Sequence, residues 1–244
     1  MTVIAIINPK GGCGKSTLAT HFAAYLSLHK SEVMLGDVDR QQSARLWLSL
    51  RPEQLPKIHG WSVDENNFAR PPAGVRHIVL DTPGGFHGFS LMKVTMSADA
   101  ILIPTGASLF DRQASTNYVQ ELKQLPRVAA GKCRLACVGM RVDGRTKNGA
   151  AIERWAEEQG LEYLGCVRLA QAYIRCLEQG LSIFDFPTEK VETYLKEWRP
   201  LTQWLEEVLA AAPALPGSVL QRPEKTTAAD LAARHSMLTS LRAS

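Results

Sequence analysis

Short apolar runs alternate along the chain with longer stretches whose apolar positions recur every three or four residues. The runs are Thr2–Asn8, Glu32–Asp37, His77–Asp81, Ala100–Pro104, Cys133–Arg141 and Leu164–Val167. Many are apolar at consecutive rather than alternate positions, as strands buried on both faces are. Helical periodicity covers Lys15–His29, Gln41–Leu50, Phe89–Ser97, Asp111–Leu125, Thr146–Gln159, Ala170–Gln179 and Glu189–Ala212. This alternation predicts an α/β fold: a single doubly wound, mostly parallel sheet with helices on both faces. Loops that follow the strands of such a sheet gather at one edge, where ligands bind.

Three polar motifs sit at predicted strand ends. The first strand runs into Lys10-Gly11-Gly12-Cys13-Gly14-Lys15-Ser16-Thr17. A G-x-x-x-x-G-K-[ST] pattern would begin at position 9, which is Pro9, so the loop is the variant K-G-G-x-G-K-[ST]. Glycines let backbone N–H groups point inward at phosphate oxygens, and the helix opening at Lys15 adds its positive dipole end. A P-loop nucleotide site is therefore expected over Lys10, Gly11, Gly12, Cys13, Gly14, Lys15, Ser16 and Thr17. Lys15 would reach the β and γ phosphates of the nucleotide, and Ser16 would hold Mg²⁺. Asp81 ends an apolar strand, where a lone carboxylate is costly unless it meets a cation. It is expected to orient a water on Mg²⁺. Lys10 is surplus within one subunit that already has Lys15, and becomes useful if it crosses a dimer interface.

Taken with Asn8 and Pro9, the loop resembles that of the deviant Walker A ATPases, the ParA/MinD family, and most closely the short ParF-like partition ATPases. Gly36-Asp37-Val38-Asp39-Arg40-Gln41-Gln42-Ser43 is similar to the family's D-x-D-P-Q-x-S segment, with Arg40 in place of the proline. Val79-Leu80-Asp81-Thr82-Pro83-Gly84-Gly85 matches its Walker B and second switch, and Pro104 to Asp111 loosely resembles P-x-x-P-S-x-x-D. The resemblance spans roughly residues 1–210. It implies a Mg·ATP-dependent, dimerising ATPase of weak activity that an adaptor protein stimulates. Lys10 would neutralise the partner's phosphates, Asp39 would position the attacking water and Asp37 would support Mg²⁺ indirectly. Gly84-Gly85 would let the second switch move when the γ-phosphate leaves. The ATP dimer would bind DNA without sequence preference and position a cargo (a plasmid, a chromosome or a protein assembly). Arg168, Arg175, Lys190, Lys196 and Arg199 are the DNA candidates. Where relatives place an adenine-contacting Asn, this chain has Met140-Arg141, and no base contact is assigned.

Composition narrows the rest. With 45% hydrophobic residues the chain can bury a full core, assigned to an ATPase domain over residues 1–212. From Pro213 a Pro-containing linker leads to a tail, 213–244, in which Thr227–Leu241 is weakly helical. Arg234 and Arg242 are the tail's only candidates for facing lipid and it has no large aromatic, so a membrane partner is not expected. Net charge is +4, and residues 141–199 hold nine basic and ten acidic side chains. DNA affinity would then rest on clustering in the dimer. Five scattered cysteines suit a reducing compartment. Cys133 and Cys137 lie about 13 Å apart along a strand, too far to share a metal ion. No basic n-region precedes the first strand, and with that strand starting at Thr2 no operator-binding extension is expected. A cytoplasmic, nucleoid-associated protein is the expectation. A MinD-like regulator cycling on a membrane or protein scaffold would need a lipid-binding helix. A metabolic ATP-dependent synthetase of the same fold would need further catalytic groups, and His59, His77 and His87 form no such set.

Overall fold

The structure is a computed structural model that describes residues 1–30, 32–62 and 74–211. In chain order the elements are β1 (Thr2–Ile6), α1 (Lys15–His29), β2 (Val33–Asp37), α2 (Ser43–Leu50), β3 (His59–Ser62), β4 (His77–Asp81), α3 (Gly88–Ser97) and β5 (Ala100–Thr105). There follow α4 (Leu109–Gln124), α5 (Pro126–Ala129), β6 (Arg134–Met140), α6 (Lys147–Glu158), β7 (Glu162–Val167), α7 (Gln171–Glu178), a 3₁₀ turn (Ile183–Asp185) and α8 (Thr188–Ala211). The strands form one seven-stranded sheet in the order β3-β2-β4-β1-β5-β6-β7, and every pairing is parallel.

Side chains on a strand alternate between faces, and β1 shows both faces covered. Ile4 and Ile6 pack with α1, α2 and α8 on one side. Val3, Ala5 and Ile7 pack with residues of α3, α4 and α6 on the other. The doubly wound expectation holds, with all pairings parallel rather than most.

Three local differences have clear causes. Strand β3 lacks an apolar run because it is a short edge strand, held by backbone pairing of His59 to Met34 and Trp61 to Gly36. Helix α5 is a single turn started by Pro126 at its first position. Strand β6 stops at Met140, one residue earlier than the periodicity predicts, because Arg141 turns into the left-handed region (φ 61°). The tail expectations beyond residue 211, including Thr227–Leu241, lie outside the described residues.

Helix α8 closes the face behind α1, burying Trp198, Leu201, Trp204, Leu205 and Val208. Its approach is fixed by a buried ion pair, Arg51 to Asp185 at 3.0 Å, whose carboxylate also accepts from the Ser182 N–H and hydroxyl. Such a pair is costly to break on one side, since the remaining charge stays buried. Nearby, His21 of α1 is fully buried and stacks on Trp198 with centroids 4.9 Å apart. Its Nδ1 lies 2.8 Å from the Thr17 carbonyl and therefore carries the proton, donating to it. Burial pushes the His21 pKa down to about 4, and burial does the same to His77. A folded-state pKa below the unfolded value gives stability that is present above about pH 6.5 and lost as pH falls toward 4. Urea unfolding at pH 7 and pH 5 should therefore show lower stability at pH 5, and His21→Leu should shrink that difference. An unchanged difference would exclude His21 as a main source.

Candidate nucleotide-binding site

The carboxyl edge of the sheet carries all three motifs. Parallel pairing sets Ile6 level with Asp81 and Asp37 level with Asp81, so the phosphate loop and two carboxylates start from one level. Gly14 precedes α1 in the left-handed region (φ 96°), and a Cβ there would lie 2.6 Å from the Met140 Cε. Only glycine meets both demands. The loop's entry is tied down by Asn8, a buried residue that periodicity absorbed into the first strand. Its Nδ2 donates to the Pro104 carbonyl and to Ser115, and its Oδ1 accepts from the Lys10 N–H.

Lys15 is buried and folded back onto its own loop, donating to the carbonyls of Lys10 at 2.7 Å and Asn8 at 3.2 Å. Its ammonium thus lies inside the curve where phosphate oxygens belong. Cys13 packs against it, and burial raises its thiol pKa, in keeping with a structural rather than nucleophilic residue. Lys10 points elsewhere, to Asp111 Oδ1 at 2.7 Å. Asp111 also accepts from Ser108 in the first turn of α4. Partial burial works against ionisation of Asp111, but the Lys10 ammonium and the Ser108 hydroxyl outweigh it and lower its pKa.

The three aspartates differ sharply. Asp37 is buried, and its oxygens accept from the N–H groups of Asp39 and Arg45 at 3.0 Å each. It shapes the loop that follows β2 and accepts from the first turn of α2. Asp39 is half-buried and holds the Gln41 N–H. Asp81 is fully buried at the end of β4, and neither carboxylate oxygen has a partner in hydrogen-bond geometry among the described residues. Burial pushes its pKa up to about 7; the nearby Ser16 hydroxyl and Lys15 ammonium oppose the rise and Asp37 adds to it. An unmatched buried acceptor costs about 1–3 kcal/mol, and a divalent cation is the partner that would remove the cost. The donor set fits Mg²⁺, which takes one or two protein oxygens and completes its shell with water and phosphate. Among the described residues no cluster of His, Cys, Asp or Glu offers a self-sufficient metal site.

A cavity of about 560 Å³ joins these parts, lined by residues of the phosphate loop between Gly11 and Thr17, Asp39, Gln41, Ser43, Pro83, Gly84 and Arg141. The second switch lies directly on the loop: the Gly85 N–H donates to the Pro9 carbonyl at 2.6 Å. A Cβ on Gly84 would lie 3.1 Å from the Gly11 nitrogen. A second cavity of about 350 Å³ adjoins on the β5–β6 side, lined by Asn8, Lys10, Gly12, Asp111, Met140, Arg141 and Asn148 among others. Lys10, Lys15, Ser16, Asp37, Asp39 and Asp81 thus meet at one edge.

The late basic residues do not join them as a free cluster. Arg168 is bound to Glu197, and Lys196 to Glu192 at 3.0 Å. Arg175, Lys190 and Arg199 are exposed on α7 and α8. Sequence pattern missed the anchoring role of Asn8 and the Lys10–Asp111 pair; only a polar residue closing an apolar run signalled the first.

Residues 4–183 match the CobQ/CobB/MinD/ParA nucleotide-binding domain family. The chain belongs to that family. It is 28% identical over 216 residues to the maintenance of carboxysome distribution protein A of Gloeobacter kilaueensis, covering 84% of this chain and 94% of that protein. It is 26% identical over 189 residues to the chromosome-partitioning ATPase Soj of Thermus thermophilus, covering 62% of this chain and 73% of Soj. In fold it is similar to a variant of Cyanothece McdA in complex with ATP, with a TM-score of 0.67 at 17% identity over 88% of this chain and 98% of that one. The family is one of nucleotide-binding domains, and its ParA/MinD members are ATPases.

Asp81→Asn removes the buried charge while keeping shape. Without nucleotide or magnesium, the variant should melt about 5 °C higher than wild type at pH 8. The gap should close toward pH 5, where the raised pKa already leaves Asp81 protonated. A variant that melts lower at pH 8 would show that the Asp81 charge is satisfied in the folded protein.

Proposed function

We propose that the chain is a Mg·ATP-dependent dimerising ATPase that binds DNA without sequence preference as the ATP dimer and thereby positions a cargo. The observation that carries this reading is the second lysine. Lys15 already fills the phosphate loop, while Lys10 stands at its mouth, held by a half-buried partner. That pair is 39% and 33% exposed, so it is worth about 0–1 kcal/mol and releases Lys10 easily. Beside it, Leu109 and Phe110 are 67% and 77% exposed, an apolar step that a second copy would cover.

In this reading Lys15 turns from the Asn8 and Lys10 carbonyls onto the β and γ phosphates, and Lys10 crosses to the partner's phosphates. Ser16 and Asp81 hold Mg²⁺, the latter through water, while Asp37 keeps the first switch in place. Bound Mg²⁺ would screen the phosphate charge. Asp39, on that loop and lining the cavity, orients the attacking water. Positioning and charge neutralisation are what phosphoryl transfer requires. Gly85 releases the Pro9 carbonyl as the second switch moves. The names of the carboxysome-distribution and chromosome-partitioning relatives support cargo positioning. An adaptor that stimulates hydrolysis, and a cytoplasmic site on the nucleoid, belong to the same proposal. Arg175, Lys190 and Arg199 are the foremost DNA contacts, because Arg168 and Lys196 are already paired with glutamates.

Two outcomes are expected, one for dimerisation and one for DNA. Lys10→Ala should abolish ATP-dependent dimerisation, read by light scattering, while ATP still binds; a dimer that persists would refute the trans role. Asp111→Asn, by contrast, should strengthen dimerisation by no more than about fivefold, the scale of an exposed ion pair. Binding of the wild type to random-sequence DNA should require ATP. With Arg175, Lys190 and Arg199 as the contacts of each subunit, six per dimer, it should weaken about a thousandfold between 50 and 200 mM salt. Salt-insensitive binding, or none with the dimer intact, would move the cargo surface away from DNA.

A further inference from the structure

We infer that Gln42 is a positioning residue: its side-chain amide closes the loop after β2 on itself and so holds Asp39 where the attacking water is oriented. The inference rests on the proposed role of Asp39. Gln42 precedes the first turn of α2 and has left-handed backbone angles, φ 53° and ψ 37°. Glycine takes that conformation freely, whereas a side chain with a β-carbon is strained in it. Here the strained residue puts its amide to use. Nε2 donates to the Asp39 carbonyl at 3.0 Å and to the Asp37 carbonyl at 3.4 Å, while Oε1 accepts from Arg45 Nη1 at 3.3 Å. Carbonyls only accept and a guanidinium only donates, so these partners fix which way the amide faces.

The loop has a particular need of such a brace. The Gln42 N–H donates to the Asp39 carbonyl at 3.0 Å, which closes a four-residue turn with Arg40 at its second position. That position favours proline, whose ring sets φ in advance. The D-x-D-P-Q-x-S segment has a proline there, and this chain has Arg40, so the covalent restraint is missing. Asp39 keeps two other ties, its N–H to Asp37 Oδ1 at 3.0 Å and its Oδ1 to the Gln41 N–H at 2.9 Å. The Gln42 amide adds a third, and it reaches back to the end of β2 at the Asp37 carbonyl. Parallel pairing sets Asp37 level with Asp81. Through Gln42, Asp39 is thus referred to the sheet edge that carries Asp81. Gln42 is half-buried, and the larger cavity is lined by its neighbours Asp39, Gln41 and Ser43. It therefore acts through the loop rather than on the nucleotide.

Gln42→Gly suits the left-handed backbone and removes the amide. In steady-state ATP hydrolysis by the full chain with Mg²⁺, kcat should fall about tenfold, short of the roughly hundredfold cost of a ~1 Å misplacement. KM for ATP and calorimetric affinity for Mg·ADP should stay within about twofold of wild type, and the nucleotide-free melting temperature within about 5 °C. Arg40→Pro should be near neutral alone but restore about half or more of the lost rate in Gln42→Gly, since it restrains the same turn by another route. An unchanged kcat in Gln42→Gly overturns the inference. So does a loss shared by KM and Mg·ADP affinity, which would place the defect in nucleotide binding. A loss that Arg40→Pro does not restore, or a larger fall in melting temperature, would overturn it by showing a general structural role. Asp39→Ala separates the inference from its premise: hydrolysis at the wild-type rate in that variant would remove the role of Asp39 itself.

Discussion

A parallel sheet buried on both faces allows each strand to be followed only by a loop at one edge and a crossover helix back. Every functional group of this chain obeys that constraint. Strand β1 lies at the centre with Ile4 and Ile6 toward one layer and Val3, Ala5 and Ile7 toward the other. Its exit is therefore the middle of the carboxyl edge, flanked by the ends of β4 and β5. Levelling of Ile6 with Asp81, and of Asp37 with Asp81, then brings an ammonium and two carboxylates together without any long-range loop.

The electrostatics of that edge are incomplete in the protein alone. Lys15 satisfies itself on carbonyls of its own loop, a weaker arrangement than a phosphate would offer. Asp81 has burial and no hydrogen bond among the described residues. Asp37 is the contrast: also buried, it has spent its oxygens on backbone N–H groups and so behaves as a structural cap. Two aspartates that look alike in sequence thus differ: one shapes a loop, and the other has both oxygens without a hydrogen bond among the described residues. The difference lies in what their neighbours donate.

The same division appears among the cations. Lys10 is parked on Asp111, Arg168 is committed to Glu197, and Arg51 is locked in a buried pair with Asp185 that seats the chain before α8. Arg175, Lys190 and Arg199 on α7 and α8 are exposed and have no ion pair with any described residue. Balanced charge along residues 141–199 therefore conceals an uneven surface, because pairing removes particular cations rather than an average number.

Much of this was written in the chain. Consecutive apolar residues in the runs announced buried parallel strands, and the loop from Lys10 to Thr17 announced the family through its glycines and two lysines. Edge strand β3 was not legible, since it is held by backbone pairing to β2 and its side chains carry no pattern. The end of β6 was misplaced by one residue because hydropathy does not encode a turn into positive φ. Sequence by itself determined the fold class and the order of the elements other than β3, α5 and the 3₁₀ turn, because apolar periodicity is written in residues close together in the chain. Tertiary structure alone decided that Asp81 is unpartnered, that Lys10 rests on Asp111 and that Arg141 stands between two cavities. Each of those facts depends on which distant groups pack together, and packing is a property of the folded whole.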